Sequence, residues 1–412
     1  MARHDRQAPG RVSAPIYLDY QATTPLAPEA AAAMRPWLEQ GFANPHSSHR
    51  LGREAAAAVE VARDRVLNAL QPRSSPAKST GAGAGSSRTP LDYARDERVR
   101  GRLYFTSGAT EAANWALKGA AARLRTDRRR IVTLATEHAC VLDTIEWLTS
   151  QGFDVDVLPV RPDGLIDLAL VDERVDERTG LVATMLVNNE IGVIQPVEQI
   201  GALARSRGAL FFCDAVQGFG RVPVPLEHCD MVALSAHKVH GPKGVGALWV
   251  RDGAPLDPFL HGGGQEGGLR SGTLSPALCA GFGEAARLLV ERAQGDHDHV
   301  EALWKAARAA LPDWTLNGAA EQRYHGNLNL RRDGVDAARL ISELRQVAFS
   351  AGSACASGSG RPSHVLAALS LNEREARSSI RLGFGRYTTE EELLHALALI
   401  DEAAGRQLSF AA

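Results

Sequence analysis

Met231-Val-Ala-Leu-Ser235-Ala-His237-Lys238-Val-His-Gly241-Pro-Lys-Gly-Val-Gly246 is the stretch from which the rest of this chain is read. Met231–Leu234 is an unbroken apolar run of strand length, and the glycines and proline after Lys238 stop it from continuing. The run ends on a hydroxyl, an imidazole and an amine: Ser235, His237 and Lys238. A second run of the same kind, Ala209–Cys213, ends on Asp214 and opens Asp214-Ala-Val-Gln217. Apolar strands with polar groups gathered at one end are what a parallel sheet requires, because ligands bind in the crevice beyond the carboxyl ends of its strands.

Moving outward, the chain alternates strand and helix from Leu103 onward. Leu103–Thr106, Ile131–Ala135, Val155–Val160, Leu181–Val187, Ala209–Cys213, Met231–Leu234 and Val245–Val250 read as strands. Ala112–Leu124 and Ala139–Ser150 are helical by period. Repeated strand–helix units predict an α/β unit with a mostly parallel, seven-stranded sheet covered on both faces. The pattern changes after the glycine cluster His261–Thr273. Ala277–Gln294 reads as a connecting helix. His299–Leu311, Thr315–Asn317, Asn327–Arg331, Ala337–Arg345 and Arg377–Gly383 then suggest a smaller α+β domain, with a capping box Thr389-x-x-Glu392 before its last helix. The expected division is a large domain over 17–290 and a small one made of 291–412 with 1–16. Upstream, Glu29–Leu38 and Gly52–Leu70 are helical, separated by the polar loop Asn44–His49. Pro72–Thr89 is rich in Ser, Gly, Ala and Pro, and Asp92–Arg102 is dense in charge. An insert of linker composition, expected to be mobile, therefore covers about 72–102.

Composition excludes several classes of function. With 412 residues, 44% of them apolar, and a net charge of −2, the chain can bury a large core and carries no global attraction for nucleic acid or an acidic membrane. No apolar run is long enough to span a bilayer, and Met1–Gly10 lacks the apolar centre of a signal peptide. Five cysteines, without Cys-x-x-Cys spacing, argue for a reducing cytoplasm and against disulfides or a structural metal.

Five groups of residues could carry chemistry. A desolvated lysine such as Lys238 can bond an aldehyde, and pyridoxal phosphate is the aldehyde that proteins hold this way, with an acid such as Asp214 for its ring nitrogen. Alone, Lys238 reads as a surface lysine in a loop; Asp214 at the end of a second strand turns the balance toward a cofactor site. Ser107-Gly-Ala109-Thr110-Glu111 follows a strand and opens a helix, as an anion-binding turn or an ordinary one. Ser235 and His237 could complete a phosphate cup. His138, after Ile131–Ala135, can lie on a ring or move protons, or simply bond the backbone. Asn188-Asn189-Glu190 ends a further strand. Cys355 sits among small residues, Ser350-Ala-Gly-Ser-Ala-Cys355-Ala-Ser-Gly-Ser-Gly360, where a thiol is exposed, reactive or idle. Cys213 and Cys279 read as packing, as do Cys140 and Cys229. Arg381 in Ser378-Ser-Ile-Arg381 could grip a carboxylate or form a surface ion pair.

Taken in order, Tyr17-Leu-Asp-Tyr, Ala22-Thr-Thr-Pro, Phe105-Thr-Ser-Gly-Ala-Thr-Glu, Thr136-Glu-His, Asn188-Asn-Glu-Ile-Gly, Asp214-Ala-Val-Gln, Ser235-Ala-His-Lys, Gly241-Pro-Lys-Gly, Arg270-Ser-Gly-Thr, Gly352-Ser-Ala-Cys and Ser379-Ile-Arg resemble the cysteine desulfurases. These belong to the class V aminotransferase branch of the fold-type-I pyridoxal-phosphate enzymes. The resemblance runs from about Tyr17 to about Arg406. It implies removal of sulfur from L-cysteine to give L-alanine and a persulfide on Cys355, which passes to an acceptor protein in iron–sulfur assembly or in tRNA or cofactor thiolation. It implies that Lys238 bonds the cofactor, Asp214 pairs with the ring nitrogen, Gln217 with the ring hydroxyl, and His138 stacks on the ring. Ala109, Thr110, Ser235 and His237 would hold the phosphate. Thr273 would reach the neighbouring subunit's phosphate in a homodimer, and Asn44, Asn189 and Arg381 would orient the substrate. A class V aminotransferase or a selenocysteine lyase is the alternative enzyme, and a non-catalytic interaction protein the alternative of another kind. The departures are the insert, His240 where many relatives carry Tyr, Gly267 where Arg is common, and an expected short tail after Arg406.

Overall fold

The structure is a computed structural model that describes residues 14–71, 99–352 and 363–411. Most of the expected insert, and Cys355 with its small-residue neighbours, lie outside the described residues.

The seven strands form one sheet. From edge to edge the order is Gly101–Thr106, Gly246–Arg251, Met231–Ser235, Leu210–Asp214, Thr179–Met185, Arg130–Leu134 and Asp154–Leu158. Gly246–Arg251 is antiparallel to both its neighbours, and every other pairing is parallel. The central strands are mostly apolar because both of their faces are covered, whereas the edge strand Asp154–Leu158 carries two aspartates and is partly exposed. Alternate residues of each strand go to opposite layers. Val132, Val182, Phe211, Val232 and Trp249 pack with Val59, Val66, Ile200 and Phe282 from helices Arg50–Leu70, Val197–Ser206 and Pro276–Ala310. Ile131, Leu181, Phe212, Met231 and Leu248 pack with Trp115, Val141 and Ile145 from helices Ala109–Ala121 and Ala139–Ser150. The predicted sheet and its two helical layers are present.

A second, separate core contains Leu303, Ala307, Leu328, Leu330, Leu340, Ile380, Leu382, Leu393 and Leu397, together with Leu18 from the N-terminal segment. Its antiparallel sheet runs Ser350–Ala351, Ser379–Gly383, Asn327–Arg331 and Thr315–Leu316. Ile16–Tyr17 pairs with Val347–Ala348 beside it. Thr389 and Glu392 exchange the bonds of the capping box ahead of helix Glu390–Ala411.

The expected break between Ala277–Gln294 and His299–Leu311 is absent. A single 35-residue helix, Pro276–Ala310, runs through Gly295. Its first half contributes Phe282 and Leu289 to the first core, and its second half contributes Leu303 and Ala307 to the second. Burial at both ends outweighs the modest helix cost of one exposed glycine. Among the described residues no helix is long and apolar enough to cross a membrane.

Candidate active site

The carboxyl ends of the strands surround a cavity of about 300 Å³. Asp214 is the last residue of Leu210–Asp214. Ser235 is the last of Met231–Ser235, and the single turn Ala236–Lys238 follows it directly. His138 caps the N-terminus of Ala139–Ser150, and Ala109 and Thr110 open Ala109–Ala121. Arg381 reaches the same cavity from Ser379–Gly383, a strand of the second sheet. Ala109, Thr110, His138, Asn189, Asp214, Gln217, His237, Lys238 and Arg381 all line it.

The Lys238 ammonium donates to the backbone carbonyls of Gln21 at 2.5 Å and Ala22 at 2.8 Å. Asp214 is buried and accepts from the Val216 N–H at 3.0 Å. Burial pushes its carboxyl above the ordinary range, against the pull of that N–H, His138 and Lys238. His138 Nδ1 accepts the Cys140 N–H at 3.1 Å, so in the neutral ring Nε2 carries the proton. Burial lowers the His138 pKa, with Asp214 opposing, and the neutral form is favoured. Burial, with the Lys238 and Lys243 charges, lowers His237 to about 4. His237 Nδ1 lies 3.2 Å from Thr23 Oγ1. Arg381 is 1% exposed and donates to Asp19 Oδ1 at 2.6 Å and to the Asn189 carbonyl at 3.2 Å.

The remaining expected residues sit elsewhere. Ser235 is buried behind the lining, and its hydroxyl has no partner among the described residues. Asn44 is exposed and accepts from the His46 N–H at 2.9 Å, and Thr273 is exposed in its loop; neither lines the cavity.

Several lining residues went unread in the sequence. Gln21 contributes a backbone carbonyl that accepts from both Lys238 and Gln217. Cys140, read as packing, lines the cavity. Beneath it, Glu137 is fully buried, accepts from the Met185 N–H at 2.9 Å and has its carboxyl raised well above the usual range by burial. Its place in Thr136-Glu-His was the one available signal. Nothing local marks a backbone carbonyl such as that of Gln21. Among the described residues no group of three His, Cys, Asp or Glu is arranged to hold a metal ion.

The profile of the aminotransferase class-V family matches residues 16–77 and 98–395, with the interruption inside the segment read as an insert. Curated relatives include proteins named cysteine desulfurase IscS. That of Rickettsia bellii (strain OSU 85-389) is 42% identical over 395 residues, covering 94% of this chain and 90% of that protein. That of Rickettsia akari (strain Hartford) is 41% identical with the same coverage. Among solved structures, a NifS-like protein superposes with a TM-score of 0.82 at 33% identity, covering 96% of this chain and 100% of that one. SspA in complex with cysteine superposes at 0.74 and 33% identity, covering 90% and 99%.

The chain belongs to the class-V aminotransferase family, whose members with this sheet are fold-type-I pyridoxal-phosphate enzymes. Within that family it falls among the cysteine desulfurases.

The residues present fit that cofactor. Ser235 pairs in register with Gly246, and a Cβ on Gly246 would stand 2.8 Å from the Gly108 Cα. The unpartnered Ser235 hydroxyl is thereby brought beside the first turn of Ala109–Ala121, whose N–H groups have no acceptor within the helix. An amine, a buried acid and an imidazole line the space beyond.

Proposed function

We propose that this cavity removes sulfur from L-cysteine, leaving L-alanine and placing the sulfur as a persulfide on Cys355. The single observation that carries the reading is the convergence of Lys238, Asp214, His138 and Arg381 on one cavity from four separate chain segments. Lys238 would supply the amine that holds pyridoxal phosphate, and the same amine would move the proton at the substrate Cα. When bound, the cofactor supplies an electron sink that makes this proton acidic. Asp214 would pair with the ring nitrogen and favour positive charge there. His138, neutral and with its proton on Nε2, would stack on the cofactor and exchange protons with the substrate. Ala109, Thr110, Ser235 and His237 take the phosphate, and Gln217 the ring hydroxyl. Arg381 holds the substrate carboxylate, and Asn189 orients the substrate from the same lining. The Cys355 thiolate attacks the substrate sulfur, and the C–S bond breaks toward the carbon.

The same reading makes Thr273 a phosphate contact to the neighbouring subunit of a homodimer, which its exposure supports. It divides the chain into a cofactor domain over 17–290 and a smaller domain of 291–412 with 1–16; the two separate cores support two domains, with Leu18 packing into the smaller one's core. It sets the reaction in the cytoplasm, supported by four free cysteines among the described residues. The sulfur then passes to an acceptor protein, for iron–sulfur assembly or for tRNA or cofactor thiolation.

Mass spectrometry of the borohydride-reduced protein tests the reading. The cofactor mass is expected on Lys238, extra sulfur on Cys355 after cysteine is added, and alanine in solution. Cofactor on another lysine, or alanine without sulfur on Cys355, overturns it.

A further inference from the structure

Arg221 lies behind the Lys238 turn and has no carboxylate partner among the described residues. Its N–H groups go to the site itself. Nη2 donates to the Lys238 backbone carbonyl at 2.7 Å, and Nη1 donates to the Gln217 carbonyl at 3.1 Å and to Gln217 Oε1. The guanidinium stands 5.1 Å from the centre of the Tyr324 ring. With Lys238 and Tyr324 it lines a second cavity, of about 140 Å³, adjoining the first. Burial pulls the Arg221 pKa below that of an ordinary arginine. Holding a cation there without an acid is costly, and the contacts it makes indicate what it does.

The far end of Gln217 is also engaged. Its Nε2 donates to the Gln21 carbonyl at 2.9 Å, the same carbonyl that accepts from Lys238. A guanidinium can only donate, and a backbone carbonyl can only accept. The orientation of the Gln217 amide is therefore set by chemistry from both sides, with oxygen toward Arg221 and nitrogen toward Gln21. Nε2 keeps a second hydrogen, and Gln217 lines the main cavity.

We propose that Arg221 is a positioning residue, which locks the Gln217 amide so that it presents an N–H, not an oxygen, to the cofactor ring, and which ties down the Lys238 peptide. This inference rests on the reading above that Gln217 meets the ring hydroxyl. An N–H donor favours the ionised form of that oxygen. An amide free to flip would lose this preference, and the protonation equilibrium of the bound cofactor would move to higher pH.

The test is a pH titration of the visible absorbance of the holoprotein, without substrate. Gln217→Leu and Arg221→Met are each expected to raise the midpoint, by about one pH unit for a lost hydrogen bond to a charged group. The double variant is expected to match Gln217→Leu alone, because Arg221 acts through that amide. Arg221→Lys, which keeps the charge but loses the fork, is expected to fall between wild type and Arg221→Met. A midpoint moved by Gln217→Leu and unmoved by Arg221→Met overturns the inference and leaves the reading of Gln217 standing. A midpoint unmoved by Gln217→Leu overturns both. If Arg221→Met fails to fold, an unmoved midpoint in Arg221→Lys overturns the inference in its place.

Discussion

Asp19 and Arg381, 362 positions apart, meet at 2.6 Å, and the second Asp19 oxygen accepts the Ser350 hydroxyl at 2.9 Å. The carboxylate thus orients a guanidinium that is otherwise buried, leaving its Nε without a partner among the described residues. If Arg381 grips the substrate carboxylate, Arg381→Gln should raise the KM for L-cysteine roughly 10- to 100-fold, the worth of a charge-assisted pair. Asp19→Asn keeps a hydrogen-bond acceptor and should raise KM by only roughly fivefold. Steady-state alanine formation measures both. An unchanged KM in Arg381→Gln would remove Arg381 from the substrate carboxylate.

Cys355→Ser should keep the visible absorbance of the bound cofactor and lose alanine formation from cysteine by at least about a thousandfold, since a hydroxyl is a poor nucleophile toward sulfur. Alanine production at the wild-type rate would remove Cys355 from the chemistry.

His240 bonds the Pro25 carbonyl through Nδ1 at 2.9 Å and is lowered from 6.5 to about 4 by burial and the Arg386 charge. Between these two values the unfolded chain binds a proton that the folded chain refuses. Stability therefore falls as the pH is lowered through that window and is unaffected by this group above it. His240→Tyr removes the titrating ring. The drop in melting temperature between about pH 6.5 and about pH 5 should be smaller in this variant than in wild type. Parallel curves would show that His240 does not contribute.

Gly246 sits between Leu234 and Gly108, and a Cβ there would come within 2.6 Å of the Leu234 carbonyl oxygen. Gly246→Ala should push the first turn of Ala109–Ala121 away from Ser235 and weaken cofactor binding by at least about tenfold, measured by fluorescence titration of the apoprotein. Gly295→Ala is the control. Nothing lies within 4 Å of that position, so the variant should bind cofactor normally and melt slightly higher.

Much of this molecule could be read along the chain. Unbroken apolar strands ending in Ser235, Asp214 or Asn188, with helices between them, define a parallel sheet whose ligands gather at one edge. Lys238, Asp214, His138 and Arg381 each have an ordinary reading when taken alone; it is the order of their motifs, and the place of the first three at the ends of strands, that points to a shared site. Local pattern could not reveal what distant segments do to one another. Gly295 resembles a helix break, yet Pro276–Ala310 continues because two cores bury its ends. Arg381 could be read as a surface ion pair, yet folding buries it and gives it Asp19 from the other end of the chain. Arg221 and the Gln21 carbonyl have no signature at all, because their roles come from donor and acceptor geometry that exists only once the chain has closed around the cavity. The order of residues determined which chemical groups are available and on which elements they ride; packing across long sequence separations decided which partner each of them meets.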